Sequence, residues 1–203
     1  MSGHRLEELT GVVLAGGQAR RMGHVNKALM TVGGAPVIDR ILARLADTCA
    51  HVMVIANDPA PYAGRDVPVF PDTMPGHGAL GGIHAALLNA PTSKVFVCGC
   101  DMPFISPPLI RALAERIGEK DAAVPRDGYG LQPLHAVYAR RVAPLVPPFL
   151  VRGDLRLERF VGALDAVILP PEETAAYAAE AEIFFNVNTP DDLEQARAKA
   201  GRL

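Results

Sequence analysis

At 203 residues, with 49% hydrophobic and 21% charged side chains, the chain can form one sizeable globular core and is short for two. A formal net charge of −2 excludes a broad basic field for nucleic acid or anionic lipid, and the absence of Trp with 5% aromatics argues further against a stacking platform for single strands. The cysteines, Cys49, Cys98 and Cys100, are odd in number and suit packing in a reducing cytoplasm, not a disulfide framework or a metal site. The polar start lacks a signal-peptide core, and no apolar run nears the roughly 20 residues of a membrane span. A cytoplasmic protein with neither nucleic-acid nor membrane partner is expected.

Residues 11–15 (GVVLA) predict a buried strand that stops at Gly16-Gly17, and residues 28–32 a second, turned by Gly33-Gly34. Pro36 suits the first turn of a helix with apolar positions at Val37, Ile38, Ile41, Leu42 and Leu45. Apolar strands are read at 51–56 and 67–70. A glycine-rich stretch at 75–82 then leads into a helix near 83–89, and a further buried strand runs from Lys94 to Asp101. In the second half, helices are expected at 108–117 and 154–164, strands at 121–125, 134–139, 166–169 and 183–187, and a last helix at 190–200; residues 171–182 stay ambiguous. Alternating helices and continuously apolar strands predict a single α/β domain over 1–203, its mostly parallel sheet covered on both faces.

Three loops carry chemistry. The first, Leu14-Ala15-Gly16-Gly17-Gln18-Ala19-Arg20-Arg21-Met22-Gly23, has Lys27 four residues on. Its glycines let backbone N–H groups approach a nucleotide, and its cations can neutralise a triphosphate. It is not a Walker A loop, because Ala28 follows the lysine. The second, Pro75-Gly76-His77-Gly78-Ala79-Leu80-Gly81-Gly82, matches GxGxxG by spacing but does not directly follow a first strand, as a dinucleotide fingerprint should. The third is Asp101, at the end of an apolar strand, where a carboxylate is well positioned for Mg²⁺ beside phosphates. Asp72 holds a similar strand-end position, where ordinary turn chemistry also accounts for it. Thr189-Pro190-Asp191-Asp192 reads as a helix cap, which leaves Asn186 and Asn188 to a site. No Ser-His-Asp or Cys-His arrangement stands out, and His77, His84 and His135 are read as packed or surface residues.

Together these residues resemble the molybdenum cofactor guanylyltransferases, the MobA family of GT-A-like nucleotidyltransferases. The motifs run in order along nearly the whole chain: LAGGxxxRMGxxxK at 14–27, GGAPVIDRIL at 33–42, Pro71-Asp72, GxGxLGG at 76–82, CDMPF at 100–104, Gln132-Pro133-Leu134, Gly153-x-x-Arg156 and NVNTP at 186–190. The resemblance implies a Rossmann-like, nucleotide-diphospho-sugar-transferase-like fold. It implies Mg²⁺-dependent transfer of GMP from GTP to the terminal phosphate of molybdopterin, with release of pyrophosphate, and molybdenum-cofactor maturation proteins as partners. By the same resemblance Leu14, Ala15, Gly16 and Gly17 hold the nucleotide through backbone groups, Lys27 and Arg21 contact its phosphates, and Asp72, Gly78 and Gly82 line the nucleoside. Asp101 would bind Mg²⁺, and Arg156, Asn186 and Asn188 would face the pterin. Asn26 stands where relatives often carry Asp, Gln132 where His is frequent, and Ile55 where some carry a nucleotide-contacting Asn, a role Asn57 could take over.

The chemistry suits this inventory. The nucleophile would be a phosphate monoester, largely dianionic at neutral pH because its second pKa is about 6. No general base is then required, and catalysis reduces to positioning and neutralising charge. Two other enzyme readings stay open: a nucleotidyltransferase using CTP or another phosphorylated acceptor, and a dinucleotide-dependent oxidoreductase resting on GxGxxG alone. A non-catalytic nucleotide-binding partner protein is the alternative of another class.

Overall fold

The computed structural model describes residues 4–16, 26–177 and 182–201. Among these, seven strands form one sheet in the order β5-β4-β1-β6-β8-β7-β9: β1 (Leu6–Leu14), β4 (Cys49–Ile55), β5 (Val69–Phe70), β6 (Lys94–Gly99), β7 (Ala122–Pro125), β8 (His135–Ala139) and β9 (Ala166–Leu169). β2 (Thr31–Val32) and β3 (Ala35–Pro36) make a separate two-stranded hairpin. The long helices are α1 (Val37–Ala46), α2 (Gly78–Asn89), α3 (Pro107–Arg116) and α7 (Pro190–Ala200); α4 (Pro147–Val151), α5 (Leu157–Gly162) and α6 (Pro171–Ala175) are one to two turns each. No helix of the described residues is long and apolar enough to cross a membrane.

β1 pairs in parallel with β4 and β6, β4 with β5, and β7 with β9, while β8 alone runs against its neighbours. The α/β expectation of a mostly parallel sheet therefore holds. Continuous apolar runs are required because the central strands are covered on both faces. Val12, Val13, Val95, Phe96, Val97 and Cys98 are fully buried, and each large apolar side chain so buried contributes about 1.5–3 kcal/mol.

Four backbone bonds stitch the carboxyl ends of the strands into one edge. Ala56 N–H donates to Phe70, Ala15 N–H to Ile55, Cys100 N–H to Leu14 and Val187 N–H to Asp101, at 2.9, 2.8, 3.1 and 2.9 Å. The functional loops hang from this edge.

Several expectations need correction. Residues 28–32 are not one strand: Lys27–Leu29 is a 3₁₀ turn capped by the Asn26 side chain, which accepts from Ala28 N–H at 3.0 Å, and only Thr31–Val32 is extended. α2 begins at Gly78, well before residue 83. The helix expected at 154–164 shortens to Leu157–Gly162. Residues 183–187 form no strand: Ile183 and Val187 are buried, but the segment is fixed by the Val187–Asp101 bond and by Asn186 Nδ2 donating to Phe184 O at 2.9 Å.

Candidate active site

A cavity of about 660 Å³ opens over the carboxyl ends of β1, β4 and β6. Of the residues singled out from sequence, Leu14, Gly16, Lys27, Asn57, Asp72, Gly78, Gly82 and Asp101 line it. Ala15 lies beside it, donating to Ile55. Gly17 and Arg21, with Arg20, fall outside the described residues. Arg156 is exposed at the N-terminus of α5, away from the cavity lining, and Asn186 does not line it either. Asn188 reaches the site through a partner, as follows.

Lys27 is aimed by the 3₁₀ turn that Asn26 caps. Its Nζ donates to Asn188 Oδ1 at 2.5 Å and lies 3.7 Å from Asp101 Oδ2. Asp101 follows the buried strand β6, and burial pushes its carboxyl above the usual carboxylate range while the Lys27 ammonium pulls it back. A largely desolvated carboxylate facing the cavity beside one ammonium suits a further cation. Among the described residues no cluster of three or more His, Cys, Asp or Glu could hold a metal on its own. A carboxylate with few protein partners suits Mg²⁺, an ion that keeps waters and takes further oxygens from substrate phosphates.

The glycine motif at 76–82 is explained by close approach. A Cβ on Gly81 would lie 3.0 Å from Met74 O and 3.1 Å from the Asp72 carboxylate, and one on Gly82 would lie 3.2 Å from Leu14 Cδ1. Gly78, the first residue of α2, has φ +60°, a value that favours glycine. The motif therefore packs α2 against the Asp72 turn and the end of β1. It follows the two-residue strand β5 and not a first strand, so it lacks the setting of a dinucleotide fingerprint. Asp72 Oδ1 accepts from Met74 N–H, and Asp72 N–H donates to Asn57 Oδ1, both at 2.9 Å.

Sequence reasoning missed three features of this site. Cys100 lines the cavity instead of packing wholly inside, its thiol pushed up to about 12 by burial and by Asp101; Cys98 is fully buried as expected. Gly99 permits Asp101 to fold back, since a Cβ there would lie 2.6 Å from Asp101 Oδ1. Tyr62, 2% exposed, puts its hydroxyl 3.4 Å from Asn26 Nδ2 and 3.5 Å from Ala15 O, touching both ends of the first loop. The Cys-Gly-Cys-Asp strand end contained a signal for Gly99, whereas nothing in the run Ala60-Pro61-Tyr62 pointed to the site.

A carboxylate and an ammonium at the carboxyl edge of a mostly parallel sheet, in a cavity bordered by a glycine loop, suit a nucleotidyltransferase. Residues 11–167 match the model of the MobA-like NTP transferase domain. The chain is 39% identical over 193 residues, 95% of itself and 94% of its relative, to a probable molybdenum cofactor guanylyltransferase of Pelotomaculum thermopropionicum. It is similar to the crystal structure of molybdopterin-guanine dinucleotide biosynthesis protein A from Archaeoglobus fulgidus, at TM-score 0.82 and 27% identity, covering 96% of this chain and 100% of that one. It shares its fold with the Mycobacterium tuberculosis protein Rv0371C, solved in complex with manganese, at TM-score 0.63 and 18% identity, covering 95% and 98% of the two chains. The chain belongs to the molybdenum cofactor guanylyltransferase family of MobA-like NTP transferases.

Proposed function

We propose that the chain acts as a single nucleotidyltransferase domain that transfers GMP from GTP to the terminal phosphate of molybdopterin, forming molybdopterin guanine dinucleotide and releasing pyrophosphate. The observation that carries this reading is the Lys27–Asp101 pair, 3.7 Å apart in the wall of the cavity, in a chain whose relatives are named for that reaction.

Leu14, Gly16, Asn57 and the α2 N-terminus would face the nucleoside and α-phosphate, with Asp72 fixing the turn beneath α2. Asp101 would hold Mg²⁺, which supplies charge neutralisation between the phosphates and the departing pyrophosphate. Lys27 spreads positive charge on the same oxygens, and Arg21 would add to it from the first loop. The attacking phosphate of the pterin brings its own negative charge, so no residue must remove a proton. Asn188 and, further out, Asn186 and Arg156 would meet the acceptor.

Thermal-shift binding with GTP, CTP, ATP and UTP, each with and without Mg²⁺, tests the assignment. The largest stabilisation is expected from GTP with Mg²⁺; preference for another nucleotide overturns guanylyl transfer while leaving nucleotidyl transfer standing. Asp101→Ala is expected to keep the fold and to abolish transfer, and near-normal turnover would sink the metal role and favour a different catalytic centre.

A further inference from the structure

The C-terminal helix begins at the catalytic lysine. Asn188, whose Oδ1 takes the Lys27 ammonium at 2.5 Å, immediately precedes the cap of α7. Its position is set from two sides. Val187 N–H is bonded to Asp101 O at 2.9 Å, which ties the segment to the end of β6. On the other side, Asp192 Oδ2 accepts from both Asn188 N–H, at 2.9 Å, and Thr189 N–H, at 2.8 Å. A capping box needs only the second of these bonds, together with Asp192 N–H donating to Thr189 Oγ1 at 3.1 Å. The bond to Asn188 is additional, and it clamps the one residue of the turn that touches Lys27.

We propose that Asp192 is a positioning residue for nucleotide binding: by holding the Asn188 backbone it fixes the amide oxygen that aims the Lys27 ammonium beside Asp101. An ammonium has three N–H donors. With one spent on Asn188 and the charge paired to Asp101, the ammonium is fixed in the cavity wall with donor capacity left for a phosphate oxygen. An unanchored lysine would have to be immobilised on binding, at a cost in side-chain entropy. The inference rests on the reading of Lys27 as a phosphate contact, and it names what enforces that contact.

The capping box supplies its own control. Thr189→Ala breaks the half of the box that does not touch Asn188, whereas Asp192→Ala also releases Asn188. Two readouts separate them: the rate at which Lys27 is acylated by a succinimidyl ester, followed by peptide mass spectrometry without any ligand, and calorimetric Kd for the Mg²⁺ complex of whichever nucleotide the wild type prefers. Asp192→Ala and Asn188→Ala are each expected to speed acylation of Lys27 severalfold and to weaken nucleotide binding about tenfold, the scale of one hydrogen bond to a charged group. The double variant should lose nothing further, because Asp192 acts through Asn188. Asp192→Asn retains an acceptor oxygen on the same stem and should restore both readouts to within about twofold of wild type. Thr189→Ala should lower Tm while leaving Lys27 unchanged, and Asp192→Ser replaces the alanine variant if that one fails to fold. The proposal is overturned if Thr189→Ala perturbs Lys27 as much as Asp192→Ala, if Asp192→Ala moves neither readout, or if the two losses multiply. A preference for a nucleotide other than GTP would overturn the proposed function and leave this test intact, and the acylation arm stands even if no nucleotide binds.

Discussion

Asp101 is held in an environment that burial makes unfavourable for its charge, with Lys27 as partial compensation. Such a group lowers stability in exchange for affinity towards a cation. Asp101→Asn is therefore expected to leave Tm unchanged or slightly raised while metal-dependent nucleotide binding is lost, measured by calorimetric melting and by titration with GTP and Mg²⁺. His135 presents a different case. It is fully buried, its two ring nitrogens have no hydrogen-bond partner, and Phe96 and Phe184 meet it edge-on at 5.1 and 5.2 Å between ring centroids. Burial lowers its pKa to about 3, so the folded chain keeps it neutral while the unfolded chain protonates it near its ordinary value of about 6.5. Between those values the unfolded state binds the extra proton. This contribution to stability is thus present above about pH 6.5 and falls by about 1.4 kcal/mol per pH unit as acid is added, until the folded pKa is reached. Urea unfolding at pH 7.5, 6.0 and 5.0 should show this slope in the wild type, and His135→Phe should flatten it.

At the scale of elements, the central strands were legible because burial on both faces demands apolar runs, as the stretch from Lys94 to Gly99 shows, while the edge strand at 166–169 is only half-buried. An apolar run alone cannot tell a strand from a pinned loop, however. Residues 183–187 are apolar except for Asn186, yet they are tied to the end of β6 by the single Val187–Asp101 bond and turned internally by Asn186 on Phe184 instead of pairing in a ladder. Local capping misled in the other direction at 28–32, where the Asn26 side chain turns the chain before it can extend. The start of α2 was hidden by its glycines, which are poor helix formers but are required where the helix backbone meets Asp72 and Leu14. The cavity-lining residues at strand ends, Leu14 and Asp101, were readable for the same reason as the strands. Tyr62 was not, since its role arises only from tertiary packing. Two consequences are measurable. Gly81→Ala forces a methyl against Met74 O and the Asp72 carboxylate, and should cost about 1–3 kcal/mol with weakened nucleotide binding. Thr189→Ala removes an N-cap hydroxyl from α7 and should cost about 1 kcal/mol in chemical denaturation.

For the whole molecule, the near-zero net charge conceals a local feature of the sequence: Arg20, Arg21 and Lys27 fall between positions 20 and 27. Affinity should accordingly depend on a few residues and on Mg²⁺ and fall only modestly with salt. A nucleotide at 100 times its Kd should stabilise the fold by about 2.7 kcal/mol, read as a shift in the urea midpoint with unchanged slope. The bond between Lys27 and Asn188 spans 161 positions of sequence. Contacts of that separation are late events in folding, because the chain between them must be ordered before the ends can meet. During refolding the sheet should regain its circular dichroism before the protein regains nucleotide binding. A chain still being synthesised would carry Lys27 and its charge partner Asp101 well before Asn188 emerged, so the ammonium would be paired first and anchored by the amide only later, with full nucleotide affinity arriving at that second step.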